Sequence, residues 1–131
     1  IPNSPISPTQ LPIETNLSRL ILVPDGGQDN TYTLPAPVAG SMFRFVYAGG
    51  AADATDAIIV TPANANFFVG GVTFLDTDNE VSAVFSDGNS NSKIQINVPA
   101  GFDVTIMGID ATNYQIFGSV TGATAPAFGD Q

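Results

Sequence analysis

The stretch TYTLPAPVAGSMFRFVY, residues 31–47, decides the fold class. Two alternating segments flank Pro35, Pro37 and Gly40, so a strand should stop, turn through the rigid prolines and restart as a β corner. In the second segment Phe43, Phe45 and Tyr47 fall on one face and Met42, Arg44 and Val46 on the other, because side chains alternate along a strand. The aromatic face is the expected core face. No catalytic group lies in this stretch.

The same pattern extends outward in both directions. Residues 16–23 hold Leu17, Leu20, Ile21, Leu22 and Val23 and end at the turn signal Pro24-Asp25-Gly26-Gly27. Residues 57–61 form a β-branched run closed by Pro62, and residues 66–69 and 72–75 are two segments separated by Gly70-Gly71, a hairpin or a kink. Residues 80–86 place Val81, Ala83 and Phe85 on one face. The clearest alternation runs over residues 93–98, where Ile94, Ile96 and Val98 point in and Lys93, Gln95 and Asn97 point out. Pro99-Ala100-Gly101 should turn the chain into residues 103–109, and residues 110–113 turn it again into residues 114–120.

About nine or ten short strands result, bounded by Gly, Pro, Asn or Asp at the ~8 to 12 residue spacing of a sandwich or barrel, and no window reads as an amphipathic helix. The expected fold is all-β, a single-domain antiparallel β-sandwich over residues 14–120, with a jelly roll as the favoured strand order. An extended proline-rich arm, residues 1–13, should precede it and an extended tail, residues 121–131, should follow. Pro2, Pro5, Pro8 and Pro12 exclude helix from the arm and interrupt sheet pairing. Ile1, Ile6, Leu11 and Ile13 give it apolar side chains. Such an arm is either an unattached terminus or a strap laid across a neighbouring subunit, where proline limits the entropy lost on ordering. The aromatics should mostly fill the two inner sheet faces. Phe102, in a turn, and Phe128, in the tail, join the arm residues as candidate subunit contacts.

Composition excludes several classes of function. The 131 residues contain no Cys, His or Trp, and three basic residues (Arg19, Arg44 and Lys93) stand against twelve carboxylates, for a formal charge of −9. That balance opposes binding to a phosphate backbone, so no nucleic-acid partner is expected. With 44% hydrophobic and 11% charged residues the chain is too apolar for a disordered acidic segment. Its longest apolar run, residues 67–75, is broken by Thr73 and falls short of the ~20 residues of a membrane span. A surface of Asn, Thr, Ser, Asp and Gly with little lysine suits an exported protein or the outside of a particle.

Nucleophilic catalysis needs a base beside Ser, Thr or Cys, and without His or Cys only Lys93 or a carboxylate remains. Asp76, Asp78 and Glu80 are spaced two apart, so on extended backbone they would share a face about 6.6 Å apart, within reach of a glycosidase-like pair. The segment reads first as a solvated turn. Its clustered oxygens also make Asp76, Asp78 and Glu80 candidate calcium ligands, although the glycine and distal glutamate of a helix-loop-helix site are absent. Gly26-Gly27 and Gly49-Gly50 lack the following helix and lysine of a phosphate cradle and read as turns. No catalytic residue and no cofactor are expected.

The order Thr33-Leu34-Pro35, Gly40-Ser41-Met42-Phe43-Arg44-Phe45-Val46, Ile58-Ile59-Val60, Pro99-Ala100-Gly101 with Asp103-Val104-Thr105-Ile106, and Tyr114-Gln115-Ile116-Phe117-Gly118 resembles small β proteins of tailed bacteriophages. These are capsid decoration or head-fibre proteins, whose module also occurs on tail appendages. Tyr114 stands where that pattern often has tryptophan. The resemblance implies a non-enzymatic jelly-roll protein that forms a homotrimer, sits on the outer surface of the virion and bridges neighbouring copies of the major capsid protein. A receptor-binding or glycan-binding module of a tail or surface fibre is the alternative.

Overall fold

In a computed structural model of the chain the described residues are 9–10, 18–50 and 55–131. They form eleven strands and no helix: β1 (Thr9–Gln10), β2 (Ser18–Val23), β3 (Asn30–Thr33), β4 (Met42–Tyr47), β5 (Ala57–Val60), β6 (Phe67–Asp76), β7 (Glu80–Phe85), β8 (Lys93–Ile96), β9 (Pro99–Gly108), β10 (Asn113–Gly122) and β11 (Ala127–Gly129). Two sheets result, a five-stranded one ordered β1-β3-β5-β8-β11 and a six-stranded one ordered β2-β4-β9-β10-β6-β7. Their inner faces share one core. Ile21, Phe43, Phe45, Phe68, Val104, Ile106, Tyr114 and Ile116 from the larger sheet meet Tyr32, Ile59, Ile94 and Ile96 from the smaller, all fully buried. The expected β-sandwich is the observed one.

The strand directions differ from expectation. Four of the nine pairings are parallel (β1 with β3, β3 with β5, β2 with β4, β6 with β10), so the sheets are mixed rather than antiparallel. The cause is the route of the chain: from β1 to β5 each strand lies in the sheet opposite its predecessor, and every second strand returns beside its neighbour running the same way. The jelly-roll order is therefore not confirmed, since a jelly roll is built from antiparallel strands.

The β corner is where the route switches sheets. β3 belongs to the five-stranded sheet and β4 to the six-stranded one, with residues 34–41 between them. Leu34 is fully buried and its N–H donates to the Val60 carbonyl at 2.9 Å, while the Tyr114 hydroxyl donates to the Pro35 carbonyl at 2.6 Å. At the far side Gly40 and Ser41 exchange hydrogen bonds with Gly108 at the end of β9, Gly40 N–H to Gly108 O and Gly108 N–H to Ser41 O, and the Ser41 hydroxyl donates to the Val38 carbonyl. A Cβ on Gly108 would run into the Val38 carbonyl oxygen, so the corner requires glycine there. Beyond it, Phe43 and Phe45 are fully buried and Tyr47 packs on the core edge, as the alternation predicts. An edge-on ring pair, Tyr32 with Phe45 at 5.9 Å, joins the two sheets, and another, Phe43 with Tyr114 at 6.5 Å, packs along the inner face of the larger one.

Several boundaries move. Thr121 and Gly122 belong to β10, and the expected tail returns as β11, an edge strand antiparallel to β8, with Phe128 packed edge-on against Phe68. The tail is part of the sandwich because Phe128 finds apolar cover there. Pro99-Ala100-Gly101 opens β9 instead of turning; the turn comes earlier, at Val98, whose φ is 38°. Gly70-Gly71 lies inside the continuous strand β6, where Gly70 (φ 97°) makes a kink. Of the proline-rich arm, only the backbone of Thr9–Gln10 is described, paired parallel to Tyr32 and Thr33 of β3.

Candidate functional site

The outer face of the six-stranded sheet carries the side chains that the core does not use. Its chemistry is set by the register. Arg44 on β4 lies opposite Thr105 on β9, which lies opposite Phe117 on β10; Val46, Asp103 and Ser119 form the next row. One diagonal step brings the Arg44 guanidinium to the Asp103 carboxylate, with Nε donating to Oδ1 at 2.8 Å and Nη2 to Oδ2, a two-point contact. The guanidinium holds the Asp103 carboxyl below its usual range, and the same pairing raises Arg44. Both groups are about half exposed, so water screens the pair and it serves mainly to orient. Met42, Arg44, Asp103, Thr105, Phe117, Gly118 and Ser119 line an open groove around it. Gly118 shapes the floor: at φ 137° it sits against the Asp103 carbonyl, where any Cβ would collide.

Farther along this face the sheet becomes more apolar and ends in β7. The β6–β7 hairpin fixes the register: the Asn79 N–H donates to the Asp76 carbonyl at 2.9 Å, the Asp78 N–H donates to Asp76 Oδ1 at 2.9 Å, and Asn79 takes the left-handed conformation at φ 73°. Asn tolerates that conformation better than most residues. The turn pairs Leu75 with Val81, Thr73 with Ala83 and Gly71 with Phe85. Val81, Ala83 and Phe85 therefore share one face, as the alternation predicts, but that face is the solvent side. Val81 is 70% and Phe85 73% exposed, with Leu75 and Phe117 also exposed on the same surface. From β7 only Val84 packs onto the core.

Asp76, Asp78 and Glu80 thus stand on a tight turn, and one Asp76 oxygen is occupied by a backbone N–H. Among the described residues no group of three acidic, Cys or His side chains is placed to hold a metal ion. The other acidic loops are built the same way. Asp87 accepts the N–H groups of Asn89, Ser90 and Asn91 and the Ser90 hydroxyl, which pull its carboxyl down to about 2. Asp110 accepts from Thr112 and Asn113 and is lowered for the same reason.

Of the expected contact residues, Phe102 is corrected by the structure. It is 6% exposed and lies in the core with its ring on Tyr47, because it falls on the inward side of β9 and not in a turn. Phe128 is half-buried. Ile1, Pro2, Pro5, Ile6, Pro8, Leu11, Pro12 and Ile13 lie outside the described residues. The sequence reading missed Asp103, Gly108 and Gly118. The alternation put Arg44 on the face opposite the aromatics, but nothing local could join it to a partner 59 residues away.

A second concavity, between the sheets at the Pro24 end, is lined by Asn30, Tyr47, Thr55 and Asp56. Its volume of ≈ 10 Å³ is room for about one water molecule, far below the ~300 Å³ at which small-molecule sites begin. Asp56 is engaged there in structure, accepting from Gln95 Nε2 and the Val98 N–H. Comparison with known proteins gave no matching family model, curated relative or solved structure.

Proposed function

We propose that this chain is a non-enzymatic structural protein of a virus particle, decorating the outer surface of a bacteriophage capsid and bridging neighbouring copies of the major capsid protein. The supporting observation is the distribution of its side chains: Met42, Leu75, Val81, Phe85 and Phe117, most of the exposed large apolar groups, share one open sheet face and edge, while the carboxylates of Asp76, Asp87 and Asp110 are turned onto neighbouring backbone. The chain has neither His nor Cys, which removes the commonest nucleophile and base pairs, and its surface is suited to adhesion. Copies held on a symmetric lattice convert modest single contacts into firm retention through effective concentration. In this role residues 1–13 supply reach and the sandwich supplies a rigid body.

Occupancy on purified particles tests it. Removing residues 1–13 should lower the number of copies retained while the β signature in far-UV circular dichroism persists; unchanged occupancy would sink the bridging role of the arm, and failure of the full-length chain to bind any capsid would sink the function itself.

A receptor-binding or glycan-binding module is favoured by one feature, the groove in which the exposed Phe117 ring stands beside Arg44, Asp103, Thr105 and Ser119, an apolar plate next to polar groups such as sugars require. Saturable binding on a glycan array that is lost in Phe117→Ala would favour this role over decoration.

A further inference from the structure

We infer that the β7 edge pairs antiparallel with the β7 edge of a second copy of this chain, joining two six-stranded sheets across a twofold axis that passes beside Ala83. The orientation of the backbone carries this. The Ser86 N–H donates to the Gly70 carbonyl at 2.9 Å, one step beyond the Gly71–Phe85 pair, so Ser86 faces β6 with its hydrogen-bonding groups. In an antiparallel ladder such pairs alternate, which turns Ser82 and Val84 toward β6 as well and leaves the N–H and C=O of Val81, Ala83 and Phe85 directed outward. β7 is the last strand of its sheet, and among the described residues no strand lies beyond it.

The side chains of those three residues are exposed and share one face. A second β7 centred on Ala83 sets Ala83 against Ala83, Val81 against Phe85 and Phe85 against Val81. Every outward donor then meets an outward acceptor, about six hydrogen bonds in all, and each Phe85 ring covers the opposite Val81. The contact is self-complementary in the way a twofold axis demands. Charge agrees. Each chain carries −9, yet Glu80, the one ionised group on β7, falls opposite Ser86 of the other copy and not opposite its own counterpart. Natural sheets guard an edge of this kind with lysine, proline or a bulge, and β7 has none of these. The pairing is independent of capsid attachment and uses a surface other than the arm.

Sedimentation equilibrium on the purified full-length chain tests the pairing, with Ala83→Glu and Ala83→Lys as variants. Ala83 is exposed and its N–H faces outward, so both variants keep the fold; circular dichroism checks this. The wild-type chain should form an assembly with an even number of copies that grows tighter with salt as the mutual repulsion is screened. Either variant alone places two like charges face to face and should halve the assembly, weakening it roughly tenfold or more, whereas an equal mixture of the two restores it by pairing Glu with Lys. Phe85→Ser provides a second route to the same loss. A wild-type monomer or an odd-numbered assembly overturns the pairing, whatever other partner binds the edge, and so does an assembly indifferent to residue 83 or one that the mixture fails to restore.

Discussion

Strands β4 and β7 have the same length, belong to the same sheet and place their largest side chains on alternate positions, yet one builds the core and the other faces water. β4 reads Met-Phe-Arg-Phe-Val-Tyr and buries Phe43 and Phe45 completely; β7 reads Glu-Val-Ser-Ala-Val-Phe and leaves Val81 and Phe85 mostly exposed. The difference lies in what fixes register. β4 is held between two neighbours, β2 and β9, and its large rings can enter only the space facing Tyr32 and Tyr114. β7 has a single neighbour and a turn that dictates its phase, so Val84 takes the inner position and the larger Phe85 the outer one. Alternation names two faces; pairing decides which is wet.

This contrast can be broken or sharpened by substitution, beginning with the largest effect. Phe45→Ala should cost about 3–5 kcal/mol in urea unfolding, since a fully buried ring leaves a cavity between the sheets. If Phe85→Ala cost as much, the two strands would not differ in the way described. Gly108→Ala drives a methyl into the Val38 carbonyl at the entry to β4 and should cost about 3 kcal/mol, read from the same unfolding curves. Tyr114→Phe, which leaves the buried Pro35 carbonyl without its donor, should cost about 1 kcal/mol while the ring packing on Phe43 and Phe68 survives in the near-UV spectrum. Burial also pushes the Tyr114 phenol far above its ordinary value of 10.0, so its absorbance should not titrate there until the fold opens in alkali.

Acid should act on the loop that follows β7. The Asp87 carboxyl is lowered from 3.8 to about 2, so its contribution is fully present above about 3.8 and is lost as pH falls through about 2. Amide shifts of Asn89 and Ser90 should follow that lower midpoint; a midpoint near 3.8 would mean the loop bonds are not made in solution. Smallest of all, Phe85→Ala should leave stability within ~0.5 kcal/mol of the parent, its effect confined to self-association.

How much was legible in the sequence follows the same division. β4 and β8 could be read because their apolar sets, Phe43 with Phe45 and Ile94 with Ile96, alternate cleanly and are buried on the predicted side. The phase of β7 could be read but not its direction, because solvent exposure depends on β6 and the turn. β11 was hidden: three residues with one aromatic carry no periodicity, and only the Phe68 ring and the β8 edge give them a place. Pro99 and Gly101 marked a turn that the chain had already made at Val98. The Arg44–Asp103 contact and the Tyr114–Pro35 hydrogen bond join residues 59 and 79 apart, a separation at which local pattern is silent.

The alternation of β1 to β5 between the two sheets has a consequence for the order of events during synthesis. β4 finds its antiparallel neighbour only in β9, and β5 finds its own only in β8, so in a growing polypeptide β5 waits until Ile96 and β4 until Gly108 for the pairing that completes it. Distant closures of this sort make assembly slow and leave sticky intermediates in the meantime. The tight β6–β7 hairpin can form early and alone, and chaperone dependence should therefore fall on the leading half of the molecule.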